Sequence, residues 1–80
     1  MKNPASISAF GQHLRKLRED RGLSLQMLAD ESNVAKPTLF RVETAKATPT
    51  LDLLVSLARG LNVTVRDLVD IPDLEKLDEV

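Results

Sequence analysis

The sequence predicts an all-α fold of five helices, on three observations. No stretch alternates apolar and polar residues with period two, five stretches space their apolar residues by three and four, and Gly or Pro punctuation separates them. The first helix is expected to start after Ser6 and run to about Arg21. There Ile7, Phe10, Leu14 and Leu17 share a face, and Gly22 ends the run. Ser24 is the N-cap of the second helix, with Leu23 and Leu28 at the two positions of a hydrophobic staple. The third helix is short, about Lys36 to Glu43. Pro37 lies in its first turn, where a missing N–H costs little, and Leu39 and Val42 turn inward. Its outward face is Lys36, Pro37, Phe40, Arg41 and Thr44. Thr50 opens the fourth helix, whose stripe of Leu51, Leu54, Ala58 and Leu61 runs to a Gly60-Leu61-Asn62 stop signal. The fifth is about Val65 to Val69: Thr64 caps it, Val63 and Leu68 form its staple, and Asp67 places a carboxylate by the free first-turn amides. No internal repeat or low-complexity segment is evident.

Eighty residues enclose one core and no second domain of ordinary size. With no cysteine, disulfides and thiolate metal sites are excluded, and a single histidine, His13, cannot build a metal cage alone. Neither a metal nor a cofactor is expected. An enzyme is not expected either, because catalysis needs convergent nucleophile, base or metal groups and the chain offers one helical histidine. Two Phe and no Tyr or Trp give a poor stacking platform for single-stranded nucleic acid. No apolar run reaches the 18 or more residues of a membrane span, and Met1-Lys2-Asn3-Pro4 lacks a signal peptide's apolar core, so a soluble, cytoplasmic protein is expected.

The net charge of −1 hides an asymmetry. Residues 1–46 hold eight basic side chains against five acidic ones, a balance of +3, and the remainder carries −4. One face can then attract phosphate while the other repels it. Solvated charge without a partner explains any single one of these residues equally well.

The informative constellation is Leu28, Ala29, Asn33, Val34, Leu39 and Val42. Two helices joined steeply by three or four residues need a small residue where their backbones meet, which Ala29 supplies. Asn33 tolerates the left-handed backbone such a turn demands. Val34, Leu39 and Val42 bury the inner side of the second helix and leave its outer side free for a groove about 12 Å wide.

These residues, with Gly22-Leu23-Ser24-Leu25, Thr38-Leu39-Phe40-Arg41-Val42-Glu43, Pro49-Thr50-Leu51 and Leu57-Ala58-Arg59-Gly60-Leu61-Asn62-Val63, resemble the helix-turn-helix proteins similar to lambda and 434 repressors, the XRE type. The resemblance covers roughly Phe10 to Val69. It implies a compact five-helix bundle whose third helix enters the major groove of double-stranded DNA, usually as a homodimer on a palindromic operator. It implies a DNA-binding domain over residues 1–70 and leaves 71–80 as an acidic C-terminal tail. It also implies a transcriptional regulator, expected to be a repressor. The alternative is an antitoxin-like or adaptor protein whose main partner is another protein.

By the same resemblance, bases are read by Ala35, Lys36, Pro37 and Arg41, with Thr38 and Phe40 beside them. Arg41 is the principal candidate, because a guanidinium pairs bidentately with guanine O6 and N7. Phosphates are contacted from Ser24, Leu25 and Gln26 and from the loop holding Thr44, Lys46 and Thr48. Arg18 and Glu43 occupy the positions of a structural pair that aims the third helix. Phe40 covering the junction with the second helix remains the plainer alternative for that ring. Three positions depart from the family pattern. Leu25 replaces a phosphate-clamping glutamine, which stands one place later as Gln26; Ala35 replaces the Ser or Asn that caps the third helix; Ala45 replaces a glycine, so a different loop path is expected. Val55 and Arg59 lie on the usual dimer surface. Ile71, Leu74 and Leu77, with Leu68, form either a dimer seam or a frayed tail. Relatives with this wording often continue into a small-molecule-sensing barrel, so the chain is either a minimal regulator or a piece of a longer one.

Overall fold

The computed structural model describes residues 2–79; Met1 and Val80, at the outer ends of the expected domain and tail, lie outside the described residues. Five α-helices follow in order: α1 (Pro4–Asp20), α2 (Leu25–Ser32), α3 (Lys36–Glu43), α4 (Leu51–Leu61) and α5 (Val65–Leu68), then a 3-10 turn at Leu74–Lys76. Each helix contributes one leucine to the centre. Leu14, Leu28, Leu39, Leu57 and Leu68 have no exposed surface, and Phe10, Ala29, Val42, Ala58 and Leu61 close around them. Burying a leucine side chain contributes about 1.5–3 kcal/mol, so these five anchor every helix to one core.

The start of α1 corrects the expectation. The helix begins at Pro4, two residues before Ser6, with proline in its first turn where the lost N–H is harmless. Asn3, at the cap position, makes no side-chain cap. The orphan amides are instead satisfied from the far end of the chain: Ala5 N donates to Asp78 Oδ1 at 2.8 Å and Ser6 N to Asp78 Oδ2 at 2.9 Å. The Ser6 hydroxyl lies 2.7 Å from Asp78 Oδ2 and 2.9 Å from the Leu74 carbonyl oxygen, and its single proton serves one of them at a time. The Ser6 hydroxyl first, and then the two amides, hold the Asp78 carboxyl below its ordinary pKa. The segment after Pro72 is therefore clasped to α1, and Ile71 packs against the core.

One device ends the first four helices. A residue in the left-handed region follows each: Gly22 (φ 67°), Asn33 (φ 54°), Ala45 (φ 61°) and Asn62 (φ 57°). The next amide then reaches back five residues, Leu23 N to Arg18 O at 3.1 Å, Val34 N to Ala29 O at 2.9 Å, Lys46 N to Arg41 O at 2.7 Å and Val63 N to Ala58 O at 2.9 Å. These are Schellman closures, which satisfy carbonyls that the helix leaves unpaired. Glycine takes that backbone freely and asparagine tolerates it, whereas Ala45 carries a Cβ penalty of about 1–2 kcal/mol.

The structure also exposes a repeat that the sequence pattern concealed. Leu28, Ala29, Asn33, Val34 and Leu39 of the α2–α3 unit recur 29 residues later as Leu57, Ala58, Asn62, Val63 and Leu68 of the α4–α5 unit. Asn33 (φ 54°, ψ 44°) and Asn62 (φ 57°, ψ 45°) turn the chain identically. The recurring residues are a buried Leu-Ala, the left-handed Asn and its Val, and the core leucines Leu39 and Leu68; Leu25 recurs as Leu54 as well, both packed against the core, and the other positions diverge.

Two glycines set how closely the helices approach. A Cβ on Gly11 would stand 2.7 Å from the carbonyl oxygens of both Val42 and Glu43, so α1 crosses the end of α3 backbone to backbone. A Cβ on Gly60 would overlap the Ser32 side chain, which places α4 against the end of α2. The Ser32 hydroxyl is buried there without a hydrogen-bond partner.

Candidate nucleic-acid interface

The inner side of α3 is fixed three times over. Leu39 and Val42 are buried, Gly11 admits its last carbonyls, and Glu43 is held by Arg18. Arg18 Nε donates to Glu43 Oε2 at 2.8 Å and Nη2 to Oε1 at 2.9 Å, while Nη1 donates to the Leu23 carbonyl oxygen at 2.9 Å. One guanidinium thus joins α1, the turn before α2, and α3. The side chains are only 11% and 5% exposed, so this is a sheltered, bidentate, charge-assisted pair. Its hydrogen bonds to Glu43 raise the Arg18 pKa against the opposing effect of burial.

The outer side of α3 is bare. Ala35, Lys36, Pro37, Phe40, Arg41 and Thr44 are all exposed, Phe40 to 51%. Among the described residues, Lys36, Arg41 and Lys46 enter no ion pair. Thr38 is half-buried and lines a groove with Asn33, Val34 and Thr48 toward the start of α4. The start of α3 differs from that of its repeat partner. In α5, Thr64 Oγ1 accepts from Asp67 N at 3.0 Å and Asp67 Oδ2 accepts from Thr64 N at 3.2 Å, a closed capping box. In α3, no described side chain accepts from the first-turn amides, because Ala35 stands where Thr64 does.

The flanking residues are placed as follows. Ser24 Oγ accepts from Met27 N at 3.0 Å and caps α2. Leu25 is half-buried against the core, and Gln26 points along the helix, its Nε2 donating to Asp30 Oδ1 at 2.8 Å. Thr44 Oγ1 donates back to the Phe40 carbonyl oxygen at 2.8 Å. Ala45, where the family has glycine, adopts the left-handed backbone that a glycine would favour. Lys46 and Thr48 extend from the loop with exposed side chains. His13 Nε2 lies 3.0 Å from the Asp67 carbonyl oxygen and ties α1 to α5. Among the described residues, no three His, Cys, Asp or Glu side chains converge on a metal-sized site. No described helix is long and apolar enough to cross a membrane.

Gly11 was missed by sequence reasoning, although it fixes the seat of α3. A glycine inside a helix costs about 1 kcal/mol relative to alanine, and that unexplained cost is the signal that points to a close approach.

A short helix braced on its inner face by a preceding helix and a left-handed Asn turn, and bare on its outer face, defines a helix-turn-helix DNA-binding domain of the kind found in transcription regulators. The chain belongs to the XRE-type, lambda repressor-like family, and it matches the helix-turn-helix family over residues 14–68. It is 37% identical over 59 residues to the HTH-type transcriptional regulator DdrOP3 of Deinococcus deserti, covering 74% of this chain and 46% of that protein. It is 33% identical over 62 residues to the HTH-type regulator SinR of Bacillus subtilis, covering 76% of this chain and 56% of that protein. The chain therefore spans about half the length of these relatives. Among solved structures, the restriction-modification controller protein C.AhdI of Aeromonas hydrophila superposes with a TM-score of 0.78 at 34% identity, over 80% of this chain and 97% of that one. The clp gene regulator ClgR of Corynebacterium glutamicum superposes with a TM-score of 0.76 at 31% identity, over 84% and 87%.

Proposed function

We propose that the protein is a cytoplasmic transcriptional repressor that binds a palindromic operator as a homodimer, each copy laying α3 in the major groove. The division of α3 carries this reading: a buried, ion-paired inner side and an outer side whose cations enter no ion pair among the described residues. Arg41 reads guanine, Lys36 reaches a base or a phosphate, and Ala35 and Pro37 offer apolar contact to a thymine methyl group. Thr38 and Phe40 flank that surface. Ser24, Leu25 and Gln26 on one side, and Thr44, Lys46 and Thr48 on the other, face the two phosphate strands. Val55 and Arg59 on α4 lie in the dimer contact, which sets the two α3 helices about 34 Å apart on one face of the duplex.

The test is selection of bound duplexes from a random pool at near-physiological salt. A palindrome with half-sites about one helical turn apart is expected. No enriched sequence would overturn the reading and direct attention to a protein partner. Arg41→Ala should then reduce operator preference by roughly 1–3 kcal/mol while sparing binding to unrelated DNA.

A further inference from the structure

Beside the reading helix lies a cleft of about 210 Å³ lined by Arg15, Arg18, Leu25, Phe40, Glu43 and Thr44. It opens where α1, the first residue of α2 and the outer edge of α3 converge. Most of its polar groups are already committed. Arg18 and Glu43 neutralise each other in a bidentate pair, Thr44 donates its hydroxyl proton to the Phe40 carbonyl, and Leu25 brings no polar side-chain atom. Arg15 remains. Its Nε contacts Glu19 Oε2 at 3.3 Å in an exposed pair, and among the described residues no group accepts from its two terminal nitrogens.

We infer that Arg15 is a phosphodiester-binding residue: its terminal nitrogens donate to a backbone phosphate of the duplex seated over this cleft, with Leu25 and Phe40 as the apolar walls. The assignment rests on the DNA-binding reading above. Glu19 is the opposing element. It holds Nε in the free protein and places a negative charge beside Arg15, so it weakens attraction for a phosphate. Because the Arg15–Glu19 pair is solvent-exposed, either side chain can be changed without undermining the fold.

The experiment measures binding of the full chain to a selected duplex and to an unrelated duplex across a salt series, for wild type, Arg15→Gln, Arg15→Lys and Glu19→Gln, with thermal melts as the check on folding. Each phosphate neutralised contributes about 0.9 to the slope of log affinity against log salt. Arg15→Gln should flatten the slope by about one and weaken both duplexes several-fold, leaving their ratio unchanged. Arg15→Lys should restore the slope, and Glu19→Gln should tighten both duplexes. An unchanged slope in a folded Arg15→Gln variant, beside normal wild-type binding, overturns the assignment alone. A changed preference between duplexes at constant slope also overturns it, since Arg15 would then read bases. Wild-type protein that binds neither duplex overturns both the assignment and the reading on which it rests.

Discussion

The two turn-helix units offer an experiment with an internal control, because they share backbone geometry and differ at the cap. Grafting the α5 cap onto α3 requires two changes, Ala35→Thr and Thr38→Asp, which reproduce the spacing of Thr64 and Asp67. In α5 that box makes two hydrogen bonds, at 3.0 and 3.2 Å. A side-chain N-cap is worth typically about 1 kcal/mol over alanine. For a domain of this size 1 kcal/mol corresponds to a Tm shift of about 4–8 °C, so the graft should raise the midpoint by roughly that amount. It should also weaken DNA binding, because it consumes first-turn amides and sets a carboxylate on the face assigned to phosphate and bases. The reciprocal change, Thr64→Ala with Asp67→Thr, should lower the midpoint by a similar amount and leave DNA binding intact. Thermal melts followed by circular dichroism, paired with duplex titrations, read both quantities. If the α5 variant loses stability while the grafted α3 gains none, the turns are not geometrically equivalent and the open start of α3 is not a missing cap.

Breaking the sheltered pair with Arg18→Leu should cost about 3–5 kcal/mol in chemical denaturation, and adding Glu43→Leu should recover much of it, since the stranded carboxylate causes most of the loss; additive losses would contradict a direct pair. Ala45→Gly removes a left-handed penalty of about 1–2 kcal/mol but adds backbone entropy of about 0.5–1 kcal/mol to the unfolded chain, so a net gain between about 0 and 1.5 kcal/mol is expected in the same assay. Asp78 has its carboxyl pKa lowered by folding, so its contribution is present above the unfolded value of about 4 and is lost as pH falls through the folded value. Asp78→Asn should therefore be less stable than wild type at neutral pH, with the two curves converging in acid; a constant offset at all pH values would show that the charge is immaterial.

What was legible in the sequence was local. Ser24, Thr50 and Thr64 cap the helices they precede, and Gly22 and Asn33 close the turns assigned to them, because each acts within a few residues of its own position. The outward face of α3 could be read as the complement of Leu39 and Val42. What escaped depends on partners distant in the chain. Ser6 resembles a cap, but its hydroxyl is turned to the Leu74 carbonyl and Asp78, and the helix starts earlier because that carboxylate takes its amides. Gly11 serves carbonyls of another helix, and Arg15 belongs to a cleft that exists only once three helices have met. The turn repeat escaped because only six positions recur, too few for a sequence comparison that does not know which positions the turn constrains.

The Asp78 clasp also bears on time. It joins residues 72 and 73 apart, the longest sequence separations among the side-chain hydrogen bonds of the described residues, and because closing so long a loop is costly, it is expected to form after the leucine centre has brought α1 and α5 together. Interactions that form late are absent from the folding transition state and act on the rate of opening rather than the rate of formation. The clasp is thus expected to govern how long the N-terminal turn of α1 stays closed, at an end of the helix where Pro4 and Ile7 share a groove with Ala45 and Thr48.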